Sequence, residues 1–475
     1  MSPAEALKAN FPFEPTADQS QLFHKLEQFI LRKTGLKEVF LLKGFAGTGK
    51  TTVVSALVKI LNRFGYKYVL LAPTGRAAKV MSTYSKKPAS TIHKKIYKQT
   101  ANPYAEGLSF ARQPNKQENV VYIVDEASMI SDDKAFGDNG LLQDLINYIF
   151  ENSSNKLLLI GDTAQLPPVN QTLSPSLDAA YMASNFKCQV HQMEMRQVMR
   201  QAEESGILMN ATRLRNELVK EQPEPAFRTR GFKDIFHMKG DKLEDGLRYA
   251  YDKFGIENTT VICRSNKNAN LYNQHIRRQI FFAEDEIGVG DYLMIVRNNY
   301  MWLPKESSIG FMANGDFVEI TKIIRFEEMY GLRFADVRIR FVDYPDEEEL
   351  DTKIMLDTLY SEAPALPADK NKELYQQVLQ DYQHITSKRQ RTLEMRQDKY
   401  LNALQVKFAY ALTCHKAQGG QWQAVFVDHG FLKDDTTNQE FARWLYTAAT
   451  RASDQLFLVN FNKKLLEDVV AVEEE

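Results

Sequence analysis

Gly44-Phe45-Ala46-Gly47-Thr48-Gly49-Lys50-Thr51 decides the fold, because it joins an apolar run at residues 39–42 to a helix-patterned stretch ending near Asn62. Glycines at this spacing let backbone N–H groups curl around phosphates, while Lys50 neutralises the β/γ oxygens and Thr51 offers a hydroxyl to Mg²⁺. The helix N-terminus adds partial positive charge. The stretch predicts a nucleotide site lined by Gly44, Ala46, Gly47, Thr48, Gly49, Lys50, Thr51 and Thr52, with ATP and Mg²⁺ as cofactors.

On the C-terminal side, apolar runs at residues 68–72, 120–124 and 157–160 are each followed by glycine, proline or acidic residues. Such alternation with helical patterns implies parallel strands covered by helices, and ligands bind at the carboxyl ends of those strands. Asp125-Glu126 follows the third run. An aspartate beside Mg²⁺ and a glutamate able to activate water suit hydrolysis better than transfer to a bound hydroxyl. Gly161-Asp162-Thr163-Ala164-Gln165 brings a further polar loop to the same edge, where Gln165 can sense the γ-phosphate or the attacking water. Similar runs at residues 260–263, 424–427 and 455–459 predict a second α/β unit. Between them, residues 313–345 alternate apolar and polar, as a small antiparallel β unit does. A long polar helix starts at Asp369, with Leu374, Val378, Tyr382 and Ile385 as one apolar stripe.

The 475 residues are 44% hydrophobic and 25% charged, ordinary globular usage that excludes disordered, collagen-like and coiled-coil classes. No apolar run is long enough to span a membrane and no secretory signal pattern is visible, so a cytoplasmic protein without membrane contact is expected. Three isolated cysteines, Cys188, Cys263 and Cys414, argue against a disulfide frame or a zinc site. The net charge is −1, yet nine Lys/Arg and one acid, Glu106, lie between Thr74 and Lys116. That basic stretch is a footprint for a polyanion.

Taken together, the loops resemble those of superfamily-one helicases, in the branch containing RecD-like, Dda-type and Pif-type proteins. Leu71-Ala72-Pro73-Thr74-Gly75-Arg76-Ala77-Ala78 and Ser90-Thr91-Ile92-His93 are similar to the family's strand-contacting segments. The stretch from Gly161 to Val169 resembles its coupling motif, and Val198-Met199-Arg200-Gln201-Ala202 its arginine motif. Ala411-Leu412-Thr413-Cys414-His415-Lys416-Ala417-Gln418-Gly419 and Tyr446-Thr447-Ala448-Ala449-Thr450-Arg451-Ala452 complete the set. Thr16-Ala17-Asp18-Gln19 fits two readings that can hold together, the family's adenine-reading glutamine at Gln19 and a capping box in which Gln19 reaches back to Thr16.

The resemblance implies an α/β architecture of two RecA-like domains with parallel sheets. The first covers residues 1–190, with a pin insertion at about 86–118. The second covers 191–312 and 404–475, and an inserted SH3-like domain with a long, tower-like helix covers 313–403. Tyr104 and Phe110 are candidates for a duplex-splitting wedge. Asp125 and Thr51 are assigned to Mg²⁺, with Lys50, Glu126, Gln165, Arg200 and Arg451 as catalytic residues. Guanidinium groups suit stabilisation of charge on a transferring phosphate. Thr74, Arg76, Thr91, His93, Thr413, His415 and Lys416 are assigned to DNA, although either histidine fits an ordinary cap or core position equally well. The implied activity is an ATP-dependent DNA helicase moving 5′-to-3′ on single-stranded DNA and opening forked duplexes. A monomer is expected, with a single-strand-binding protein or a replication or repair factor as partner. The alternative is a single-strand translocase or protein-displacing remodeller that does not unwind duplex.

Overall fold

Phe40 and Leu42 of strand β1 (Glu38–Gly44) pack with Val53, Val54 and Leu57 of the helix Lys50–Ile60, whereas Val39 and Leu41 pack with Leu145 and Leu177 on the other face. Burial of both faces explains the continuous apolar run. The computed structural model describes residues 1–100, 109–132, 139–169, 171–199, 204–304, 307, 309–430 and 438–467. After β1 come β2 (Lys67–Ala72), β3 (Ala89–Thr91), β4 (Tyr97–Thr100), β5 (Ser109–Arg112), β6 (Val120–Val124), β7 (Lys156–Gly161) and β8 (Gln189–Met195). Six of these form a parallel sheet in the order β3-β2-β6-β7-β1-β8. The phosphate loop therefore leaves the sheet between β7 and β8, with the β6 and β7 loops beside it. The sheet runs on to Met195, past the expected boundary at residue 190, because β8 pairs with β1 along its whole length.

Strands β4 and β5 pair antiparallel as a separate hairpin within the expected pin segment. Tyr104 and the side chain of Phe110 lie outside the described residues.

The chain then forms β9 (Ile235–Met238) and β10 (Thr259–Cys263) and leaves for a barrel of β11 (Tyr292–Ile295), β12 (Phe317–Met329), β13 (Leu332–Phe341), β14 (Leu350–Met355) and β15 (Leu404–Phe408). It returns as β16 (Ala411–Thr413), β17 (Trp422–Asp428) and β18 (Ala452–Val459). The second parallel sheet has the order β16-β10-β17-β18-β9. Two RecA-like lobes are thus present. The barrel is wider in sequence than the expected 313–403: Leu293 pairs with both Val318 and Phe408, so β11 and β15 close it from outside that range.

The expected single helix after Asp369 is two, Ala368–Asp381 and Lys388–Arg396. Tyr382 leaves helical geometry at φ −94 and ψ 7, and Ser387 caps the second helix by accepting from the Gln390 N–H. Leu374, Val378 and Met395 pack on Phe334 and Met355, so the pair lies against the barrel. Among the described residues no helix is long and apolar enough to cross a membrane.

Candidate nucleotide site and lobe seam

Gly47 and Gly49 of the phosphate loop have φ of +75 and +85, and Gly49 caps the helix Lys50–Ile60 in the left-handed region. A side chain there would be strained, and its Cβ would lie 2.6 Å from Gln19 Nε2. Lys50 Nζ donates to the carbonyls of Gly44 (2.6 Å) and Phe45 (3.0 Å), and Thr48 Oγ1 also donates to Phe45 O (2.8 Å). The ammonium and the helix N-terminus concentrate positive potential in one place. Thr51 is exposed and Thr52 half-buried in the helix's first turn.

Of the two readings of Gln19, the capping box is realised. Thr16 Oγ1 accepts from Gln19 N, and Gln19 Oε1 accepts from Thr16 N at 3.0 Å. Its Nε2 donates to Thr48 O at 3.0 Å, and the residue is fully buried. Both ends of the carboxamide are engaged, so Gln19 braces the loop from the cap of its own helix.

Asp125 and Glu126 follow β6. Asp125 Oδ1 accepts from Glu126 N (2.9 Å), and Oδ2 accepts from the Tyr84 hydroxyl (2.6 Å). Burial, then the neighbouring Asp125, pushes the Tyr84 phenol well above its ordinary range, which keeps it a donor. Nothing local in the sequence marks Tyr84, which sits on the helix Gly75–Ser85 that follows the neighbouring strand β2. Glu126 holds a left-handed backbone at φ +52, strain of about 1–3 kcal/mol that clusters at functional sites. Burial raises its carboxyl; Arg451 opposes this, Asp125 and Asp162 add to it, and Lys50 opposes it. A carboxylate held closer to neutrality is a better proton acceptor.

The helix Gln439–Ala449 of the second lobe lies against the Asp162 loop of the first. Tyr446 OH accepts from Ala46 N (2.9 Å) and donates to Asp162 Oδ2 (2.6 Å). One residue on, Thr447 Oγ1 accepts from Leu166 N (2.8 Å) and donates to Arg443 O (2.7 Å). Gln418 Nε2 donates to Leu166 O (2.7 Å), and Arg443 Nη1 donates to the carbonyls of Thr163 and Gln165. Residues 443, 446 and 447 share one helix face at three- and four-residue spacing, which lets them grip one loop. Arg451, only 3% exposed, donates to Thr447 O, Gly420 O and Thr450 Oγ1. Its Nη1 stands 3.9 Å from Glu126 Oε1 across the seam. Gln165 is buried, with Oε1 lacking a hydrogen-bond partner. Arg200 lies outside the described residues; its neighbour Met199 donates its N–H to Gly47 O at 3.0 Å.

Two of the seven residues assigned to DNA, Arg76 and Thr91, are buried. The Arg76 guanidinium sits 4.1 Å over the Trp422 ring and 4.8 Å over Phe317, donates to Glu257 O and Gln421 O, and faces Asp343. It joins the first lobe to the second lobe and the barrel, where two aromatic faces, two carbonyls and a carboxylate take the place of the water it has lost. Thr91 is buried as a helix cap, accepting from Lys94 N. Thr74 likewise caps the helix Gly75–Ser85 but stays half-buried. Burial pushes His93 down to about 4, so it is neutral at pH 7, with Tyr97 and Phe311 rings nearby. On the second lobe Thr413 precedes the turn Cys414–Ala417, His415 is exposed, and burial brings Lys416 down to about 8.

The arrangement fits a nucleoside triphosphate with Mg²⁺. The glycine cradle leaves little room for side chains, and the buried, unpartnered Gln165 Oε1 is an acceptor to which an attacking water, not a phosphate oxygen, can donate. Among the described residues no group of three or more His, Cys, Asp and Glu could hold a metal alone. Mg²⁺ commonly takes one or two protein ligands with phosphates and waters, so a hydroxyl and a carboxylate of the kind expected at Thr51 and Asp125 suffice.

Residues 27–227 match the AAA domain family, and residues 408–459 match the UvrD-like helicase C-terminal domain. An uncharacterised protein of Acanthamoeba polyphaga mimivirus is 24% identical over 503 aligned residues, covering 91% of this chain and 97% of that one. The ATP-dependent DNA helicase dda of Enterobacteria phage T4 is 27% identical over 285 residues, 59% of this chain and 60% of that protein. The ATP-dependent RecD2 DNA helicase of Deinococcus radiodurans is 33% identical over 173 residues, 36% of this chain and 21% of that protein.

Proposed function

We infer that this chain, a superfamily-one helicase of the Dda-, RecD- and Pif-like branch, is an ATP-driven motor that moves 5′-to-3′ along single-stranded DNA and separates duplex at forks. The observation that carries this reading is the seam: Arg443, Tyr446, Thr447 and Gln418 of one lobe hold the loop that follows β7 in the other. A site built from both lobes links hydrolysis to their relative motion.

In this reading the loop N–H groups and Lys50 bind the phosphates, while Thr51 and Asp125 hold Mg²⁺, with Tyr84 orienting Asp125. The metal supplies charge neutralisation on the phosphates. Glu126 accepts the proton of the attacking water. Gln165, Arg200 and Arg451 stabilise the charge that develops on the terminal phosphate. The strand is gripped by Thr74 and His93 on one lobe and by Thr413, His415 and Lys416 on the other. Contacts of this kind hold phosphate and sugar without reading sequence. The working unit is a monomer in the cytoplasm of a bacterial or phage-infected cell, and a single-strand-binding protein is a fitting partner.

The test is strand separation on duplexes carrying a 5′ or a 3′ tail. Unwinding of the 5′-tailed duplex alone, abolished in Lys50→Ala with the fold retained, is expected. Equal activity of Lys50→Ala would overturn the site assignment, and preference for the 3′ tail would overturn the polarity. Protein displacement without strand separation would favour a remodeller.

A further inference from the structure

Tyr446 is, among the described residues, the only side chain of the second lobe hydrogen-bonded to the phosphate loop's backbone. The N–H that it takes belongs to Ala46, inside the run Gly44 to Thr51 whose N–H groups are the anion grip. Its phenol is 1% exposed, and its proton goes to Asp162 Oδ2 at 2.6 Å. Asp162 is itself 2% exposed and also accepts from Ala164 N. A short bond to a buried carboxylate is charge-assisted and polarises the phenol oxygen, making it a stronger acceptor toward Ala46. With the proton committed to Asp162, the phenol can meet the loop only as an acceptor, in the same role as a phosphate oxygen.

We propose that Tyr446 is a built-in competitor for the phosphate loop: a neutral acceptor from the second lobe that must yield the Ala46 N–H to a phosphate oxygen. It is a positioning residue, since it acts through Ala46 and Asp162. The exchange ties phosphate occupancy to the seam. When the phenol lets go of Ala46, one of the bonds joining the lobes is lost, while Thr447 and Gln418 keep theirs on Leu166. The inference rests on the reading of the loop as a nucleotide site.

The test is equilibrium titration of wild type and Tyr446→Phe with a fluorescent ADP analogue and a fluorescent non-hydrolysable ATP analogue, without DNA. Removing the hydroxyl removes the competitor, so the variant should bind at least one nucleotide about fivefold more tightly, the size of one ordinary hydrogen bond. A purely structural hydroxyl predicts the opposite, because its loss would loosen the site. Equal or weaker binding of both analogues by the variant would overturn the inference alone. Absence of binding by both proteins would overturn the nucleotide reading and the inference with it. Should Tyr446→Phe not fold, Asp162→Asn, which weakens the polarisation of the phenol, must also tighten binding for the inference to stand.

Discussion

Asp316 is a carboxyl enclosed away from water, and replacing it with asparagine gives a stability change with a definite pH signature. The residue is 2% exposed at the start of β12, with Oδ2 accepting from Ala313 N (2.7 Å) and Oδ1 without a partner. It faces the first lobe so closely that a Cβ on Gly75 would lie 2.5 Å from Oδ1. Asp343 stands nearby with one oxygen unpartnered, beside Arg76, Lys79 and Tyr344. Burial, opposed by the Ala313 N–H and reinforced by Asp343, raises the Asp316 carboxyl from 3.8 to about 7. The folded chain therefore holds a proton between these values that the unfolded chain has released. Stability from this group is complete below about pH 4 and is lost as pH rises to about 7. The full loss, at about 1.4 kcal/mol per pH unit, is at most about 4 kcal/mol. Asp316→Asn keeps the acceptor for Ala313 and stays neutral. The variant should melt higher than wild type at pH 8, by up to about 4 °C if the chain melts as one unit at ~2 cal/mol/K per residue. Near pH 4 the difference should vanish. Thermal melts at both pH values measure this; a pH-independent difference, or a less stable variant at pH 8, would show that Asp316 is not held protonated by its burial.

Other outcomes follow from the same contacts. Thr447→Val leaves the Leu166 N–H buried without its acceptor, at a cost of about 1–3 kcal/mol; thermal melts and the ratio of DNA-stimulated to basal hydrolysis should both fall, and an unchanged melt would count against the seam. Arg76→Ala removes a buried, stacked cation and leaves Asp343 with Lys79 alone, destabilising by about 3–5 kcal/mol. Because Arg76 is enclosed, the salt dependence of single-strand binding should keep its slope; a slope shallower by about 0.7 would restore Arg76 as a phosphate contact.

How much of this was legible in the sequence depends on how local each cause is. Strands β1, β6 and β7 announce themselves because both faces are buried, as does the second half of β2. Edge strand β8 carries His191, Gln192 and Glu194 and reads as polar chain until its pairing with β1 is seen. The phosphate loop and Asp125-Glu126 are legible because their chemistry lies within a few residues. The grip of Tyr446, Thr447 and Arg443 on a loop nearly 300 residues away is a product of tertiary packing, and residue types alone do not reveal it. Arg76 shows the opposite failure. A basic residue at a strand end reads as a phosphate contact, but Trp422 and Phe317, far away in sequence, enclose it. The helix after Asp369 breaks at Tyr382 because packing on the barrel outweighs the helical pattern.

The proposed motor depends on Arg451 completing a hydrolytic site from across the seam. The direct measurement is single-turnover ATP hydrolysis by Arg451→Lys in saturating single-stranded DNA, alongside nucleotide affinity. Lysine keeps the charge but loses the planar fork that bonds Thr447, Gly420 and Thr450 while facing Glu126. A loss of about 10³-fold in the hydrolytic step, with affinity within a few-fold of wild type, is predicted. Hydrolysis within about tenfold of wild type would contradict a site shared between the lobes.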